Sequence, residues 1–209
     1  MRSALVVLSL ITAAGVRAGP ATAEEQAAPA PNDIKLNELT VQYNLLYQAG
    51  EYAQAVPVTE QAVAAAETAF GPDDAQVAQA LNDLGRLHEL LGELEPSARA
   101  HERALKIRDQ VFSANGPEVA QSLNNLARVY ASQGKRAEAK PLYARSLAIT
   151  DRHVPPESPM LLIVLKPYAV LLRETGESDA AAQLEARIQA IDAAQAAKAA
   201  AGPSEPAAH

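Results

Sequence analysis

Apolar residues recur along this chain on a helical beat, and glycine interrupts the beat at fixed intervals. Gly50, Gly92, Gly134 and Gly176 are each 42 residues from the next. Eleven residues before them stand Leu39, Leu81, Leu123 and Leu165, and seven before them Tyr43, Gly85, Ala127 and Ala169. Five before stand Leu45, Leu87, Val129 and Leu171, and four before Leu46, His88, Tyr130 and Leu172. Offsets of this kind put one mostly apolar stripe on one face of a helix. A glycine closing such a stripe is a helix stop, because it takes the left-handed backbone conformation freely. A twelve-residue phrase recurs in near-copy 42 residues on, as "LNDLGRLHELLG" and "LNNLARVYASQG".

A second helix follows each glycine. Small residues recur five and twelve positions on, at Ala55, Ser97, Ala139 and Ala181, then Ala62, Ala104 and Ser146, with Ile188 in the last copy. Small side chains there let paired helices approach closely. Val58, Leu142 and Leu184, then Val63, Leu105 and Leu147, fill in beside them, and Phe70, Phe112 and Val154 end the element. The connectors place Asn32, Asp74, Gly116 and Ser158 at matching positions, each a favoured N-cap. Pro117 and Pro159 follow as first helical residues, where proline costs little.

The unit is therefore helix, glycine turn, helix, capped turn. The spacing predicts an all-α chain of four units, at about 32–73, 74–115, 116–157 and 158–201. One unit cannot bury its own stripe, so neighbours must stack. The fourth unit carries Glu185 and Gln189 where the third has Tyr143 and Leu147. Polar residues on an outward stacking face are what a terminal cap requires.

"LNNLARVYASQGKRAEAKPLYARSLAI" resembles tetratricopeptide repeats of the 42-residue kind found in kinesin light chains and many bacterial proteins. The matching residues are Leu123, Asn124, Leu126, Ala127, Tyr130, Gly134, Ala139, Pro141, Leu142, Tyr143 and Ile149. The resemblance spans about Asn32 to Ile191, with two departures. Gln42 replaces a leucine, and Pro167 falls in mid-helix, where it is expected to kink or shorten the first helix of the fourth unit. The resemblance implies a right-handed α-solenoid that binds another protein or peptide, with its first helices lining the concave side.

On that basis the inner face lies 13, 10, 6 and 3 residues before each glycine. It reads Asn37, Thr40, Asn44 and Tyr47; Gln79, Asn82, Arg86 and Glu89; Gln121, Asn124, Arg128 and Ala131; Ile163, Lys166, Val170 and Arg173. Amides pair with both N–H and C=O of an extended backbone, and arginine and lysine select carboxylates. Asn44, Asn82, Arg86, Asn124, Arg128 and Lys166 are thus the candidate groove for an extended peptide, acidic or offering a free C-terminus. The plain alternative is that these are solvated helix faces, which are normally polar.

Composition narrows the function classes. Aromatic residues are 4% and tryptophan is absent, which suits packed helices better than a sheet. There is no cysteine, so disulfides, thiolate metal sites and a cysteine nucleophile are excluded. The net charge of −7 argues against nucleic acid as partner. Arg2, the apolar run Ala4–Val16 and short side chains ending at Ala18 and at Ala23 make a secretory signal pattern. Cleavage after either alanine would leave a periplasmic or secreted chain with no membrane insertion.

Residues 1–23 are accordingly expected to be signal, 24–31 a leader and 202–209 a disordered tail. The alanine-rich run 193–201 is a frayed helix end or a dock for a partner helix. No cofactor is expected and no catalytic set can be assembled. "FGPDD" lacks the lysine of a phosphate loop, and no nucleophile elbow surrounds the serine of "LARVYAS". His88 and His101 replace Tyr130 and Tyr143, and they read as packing or hydrogen-bonding residues rather than a metal pair. Two functions remain: an interaction scaffold of the cell envelope, or a structural subunit assembling through the ends or convex side of the array.

Overall fold

A computed structural model of the chain describes residues 31–201. The signal, the tail and nearly all of the leader expected above lie outside them. The described residues form eight α-helices and no strand: α1 Pro31–Gln48, α2 Tyr52–Phe70, α3 Ala75–Leu90, α4 Leu94–Val111, α5 Pro117–Ser132, α6 Arg136–His153, α7 Leu162–Glu174 and α8 Ser178–Ala201. They pair as predicted, α1 with α2, α3 with α4, α5 with α6 and α7 with α8. Each pair stacks on the next through α2–α3, α4–α5 and α6–α7.

The four glycine stops share one geometry. Gly50, Gly92, Gly134 and Gly176 have φ of 76°, 77°, 76° and 81°. In each, the residue after glycine donates its N–H five residues back, as in Glu93 N to His88 O at 2.8 Å and Lys135 N to Tyr130 O at 2.8 Å. The glycine N–H bonds three residues back. This is a Schellman turn, which satisfies the last carbonyls of the first helix and reverses the chain. The caps follow suit: Asp74 accepts from Gln76 N at 2.8 Å, and Ser158 accepts from Met160 N at 3.3 Å. Asn32 departs from expectation. α1 begins at Pro31, so Asn32 lies within the helix rather than capping it.

The small positions of the second helices are where the pairs close. Ala55, Ser97, Ala139 and Ala181 are fully buried. Ser97 donates to Gly85 O and Ser146 to Ala120 O, both at 2.8 Å, so neither hydroxyl is stranded in the core.

Bulk is traded across each pair between the positions seven before and nine after the glycine. The first unit sets Tyr43 against Thr59, the second Gly85 against His101, and the third Ala127 against Tyr143. A Cβ placed on Gly85 would come within 2.7 Å of the His101 ring, so the glycine is the room the histidine occupies.

Leu45 leaves the stripe. Its counterparts Leu87, Val129 and Leu171 are buried, whereas Leu45 is 64% exposed. No helix pair precedes α1 among the described residues, so nothing there covers this position. At the far end Glu185 accepts from Arg173 Nε at 2.8 Å and Gln189 is exposed, a polar finish in place of Tyr143 and Leu147.

Prolines inside helices are tolerated by placement. Pro57, Pro141 and Pro167 are each the sixth residue of their helix. The carbonyls they leave without an i+4 donor belong to Ala53, Ala137 and Ile163, all at exposed positions. α7 has 13 residues against 16 in α3 and α5, its start replaced by a 3-10 turn, Pro159–Leu161.

The array is curved. α3 touches α5 and α5 touches α7, whereas no second helix touches the next second helix among the described residues. The first helices therefore lie on the inside. On the outside, long side chains bridge the wider gap at one repeated register: Arg103 to Glu67, Arg145 to Asp109 and Arg187 to Asp151, at 2.5–2.7 Å.

Candidate functional site

The inner face is built by α3, α5 and α7, with α1 at its edge. Its candidate residues divide into three kinds. Asn44, Arg86 and Lys166 are exposed. Asn82 and Asn124 are 5% and 3% exposed, wedged between neighbouring first helices. Arg128 is held in a two-pronged pair, with Nε to Glu89 Oε1 and Nη2 to Glu89 Oε2, each at 2.6 Å. This pair links α5 to α3, and the hydrogen bond to Glu89 is the main reason the guanidinium holds its proton more tightly than usual.

Pairing changes the charge of the face. Four cations against one acid were expected from position alone. Arg128 is neutralised by Glu89, and Arg173 by Glu185, which reaches in from α8. Arg86 and Lys166 are the inner-face cations outside ion pairs among the described residues. Arg86 lies 4.4 Å over the Tyr47 ring, a cation–π contact that fixes the guanidinium at the groove edge.

The asparagines form an interrupted ladder. Asn82 Oδ1 accepts from Asn125 Nδ2 at 2.8 Å, tying α3 to α5. Asn124 occupies the Asn82 position one unit later, and the residue in the place of Asn125 is Pro167. Proline has no donor to offer, and Asn124 Oδ1 is buried with no hydrogen-bond partner.

Arg108 was not singled out by sequence. It belongs to α4, is 3% exposed, and passes between α3 and α5. It donates to Gln79 Oε1 at 2.9 Å, Gln121 Oε1 at 2.9 Å, Ser122 Oγ at 3.0 Å and Glu118 O at 3.0 Å. Two inner-face glutamines are thereby fixed to one buried cation, and burial holds the guanidinium below its usual pKa. The available signal was a lone cation sixteen residues after Gly92, where the other units have Ala66, Thr150 and Asp192.

Three crevices open along this face. The first, about 340 Å³, lies by α1 and α3 and includes Asn37, Thr40, Tyr43, Gln79 and Asp83. Desolvation raises the Asp83 carboxyl above its usual value and pushes the Tyr43 hydroxyl up to about 12. The second, about 290 Å³, lies between α5 and α7 beside Arg128, Tyr143, Pro167 and Val170. The third is about 420 Å³, bounded by α5, the end of α6 and the start of α7, and is the most apolar of the three.

The histidines have separate surroundings. His88 Nδ1 lies 2.6 Å from Glu93 Oε2. His101 is fully buried with both ring nitrogens unpartnered, and burial pushes its pKa down to about 4. No group of three or more metal-ligating side chains occurs among the described residues. No described helix is long and apolar enough to cross a membrane.

The tetratricopeptide repeat family profile matches residues 44–110, 97–152 and 118–194. No curated protein matches the chain. Among solved structures, a Podosopora anserina protein of kinesin light chain type, with nearly identical TPR-like repeats, superposes with a TM-score of 0.67 at 22% identity, covering 78% of this chain and 75% of that one. BtubC (BKLC) from P. vanneervenii gives 0.66 at 18%, covering 88% and 71%. MamA gives 0.59 at 17%, covering 80% and 82%. At these identities the likeness is one of fold.

Proposed function

The chain belongs to the tetratricopeptide repeat family, and from that premise we propose that it is a non-catalytic scaffold of the cell envelope, holding an extended segment of another protein on its concave face. The observation that carries this reading is the inner face itself. First helices packed side by side leave crevices between them, and two unpaired cations, Arg86 and Lys166, flank amide-rich walls in a protein of net charge −7. An extended strand has its N–H and C=O groups free for amides, and an acidic side chain or terminal carboxylate suits the cations. The signal pattern at 1–23 supports a periplasmic or secreted location, and sequencing the N-terminus of the protein recovered from cells tests it. A mature start at Gly19 or Glu24 is expected.

The binding test is retention of partner peptides by the full chain and by Arg86→Glu/Lys166→Glu. Arg128 is a poor probe, because its loss also breaks the link to Glu89. Unchanged retention by the double variant removes the concave face from consideration.

A second reading, a structural subunit, is favoured by one observation. Val41 and Leu45 of α1, at the first end of the array among the described residues, are 59% and 64% exposed. Light scattering separates the two: a stable oligomer that dissociates in Leu45→Glu supports assembly through that end.

A further inference from the structure

We propose that the crevice bounded by α1, α2 and α3 is a binding site for a small alkylguanidinium compound, whose planar cation takes the place that the Arg108 guanidinium holds one unit later and pairs with Asp83. This goes beyond the peptide reading and does not depend on it.

The repeat supplies the template. In the second seam, between α3, α4 and α5, Arg108 donates to the side chains of Gln79, Gln121 and Ser122 and to the carbonyl of Glu118. Forty-two residues back, the counterparts of these four are Asn37, Gln79, Ala80 and Gln76, and all four line the first crevice. Arg108 itself corresponds to Ala66, a side chain too short to reach them. Ala62 and Phe70 of α2, one turn either side of Ala66 on the same face, also line the crevice. One seam is thus closed from within by a guanidinium, and the other keeps about 340 Å³ open.

Asp83 sets the charge of the ligand. It stands where the second seam has Asn125. It accepts from Gln79 Nε2 at 3.1 Å, and Gln79 Oε1 is in turn held by Arg108, so the carboxylate is aimed by a chain of fixed side chains. Asp83 makes no ion pair among the described residues. The cations that act on it are engaged elsewhere, Arg86 over the Tyr47 ring and Arg108 on its four acceptors. Desolvation raises its carboxyl above the ordinary value, as expected of a carboxylate short of a cation. A guanidinium answers a carboxylate with two parallel hydrogen bonds, and the Asn37 amide oxygen offers a further acceptor. Leu36, Tyr43 and Phe70 present apolar walls to an alkyl chain, and the volume suits a whole small molecule.

Isothermal titration calorimetry of the full chain with n-butylguanidinium tests this, with N-butylurea as the uncharged control of like shape. The guanidinium should bind one site per chain, and the urea about tenfold or more weakly. Asp83→Asn, which installs the amide found one unit later, should weaken the guanidinium by a similar factor while leaving the urea unchanged. Ala66→Arg should fill the seat from within and abolish binding. Absence of saturable binding, or equal guanidinium affinity of the native chain and Asp83→Asn, overturns the site, as does binding retained by folded Ala66→Arg. A capped Ala-Arg-Ala tripeptide that binds more tightly than n-butylguanidinium overturns the assignment to a small molecule.

Discussion

Gly85 and His101 show how closely neighbouring side chains are matched in this protein. Gly85→Ala forces a Cβ to 2.7 Å from a buried ring, and overpacking of that kind costs about 1–3 kcal/mol. Chemical denaturation should show this loss. The double variant Gly85→Ala/His101→Thr, which shortens the facing side chain as Thr59 does opposite Tyr43, should recover much of it. A double variant less stable than Gly85→Ala alone contradicts the exchange of bulk.

His101 also gives the fold an acid-sensitive point. Its folded pKa of about 4 lies below the ordinary 6.5, chiefly through burial, with Arg128 and Arg108 adding to it and Glu89 opposing. The unfolded chain therefore binds more protons between those values, and stability falls as pH drops from about 6.5 to 4. The loss amounts to about 3 kcal/mol across that window. Asp83, with its raised carboxyl, works in the opposite direction, so the comparison is with His101→Leu at each pH. Wild type should lose about 3 kcal/mol more than the variant across the window, and parallel curves contradict the assignment.

At the scale of the element, the Schellman turn is the device that makes every unit alike. Nothing lies within 4 Å of a Cβ built on Gly50, Gly92, Gly134 or Gly176. Substitution there meets only the backbone penalty of a positive φ, about 1–2 kcal/mol. Gly92→Ala and Gly134→Ala should each lower stability by about that amount in urea titrations, with Gly134→Asn costing less, since asparagine visits this conformation more readily. A loss of several kcal/mol at one position shows that the turns are not equivalent.

Elements were also what the sequence revealed best. Helix ends, pairing and the shared register depend on residues within one 42-residue unit, and periodicity exposes them directly. The exceptions have physical causes. Leu45 fits the stripe, but no pair precedes it among the described residues to cover it, and Asn32 lies inside α1 rather than ahead of it.

The site was less legible because its pairings span two units. Arg128 finds Glu89 39 residues away, and Asn125 finds Asn82 43 residues away. Curvature of the stack brings these partners together, and no pattern inside one unit announces it. The exposed cations Arg86 and Lys166 could be placed from position alone. The neutralisation of Arg128 could not. Pro167 was legible as a helix disturbance, whereas its effect on Asn124, on the neighbouring helix, was not.

At the scale of the whole molecule, we propose that the inside of the curve is the working surface. Site-specific photocrosslinking in the native cell tests it most directly. A photoreactive residue is placed at Asn44 or Ile163 on the inner face, at Ala148 on the outer face of α6, or at Leu45 on the end of α1. All four are exposed in the structure. The account predicts a covalent adduct with another protein from Asn44 and Ile163 and none from Ala148 or Leu45. Adducts from Ala148 or Leu45 with the inner positions silent contradict it.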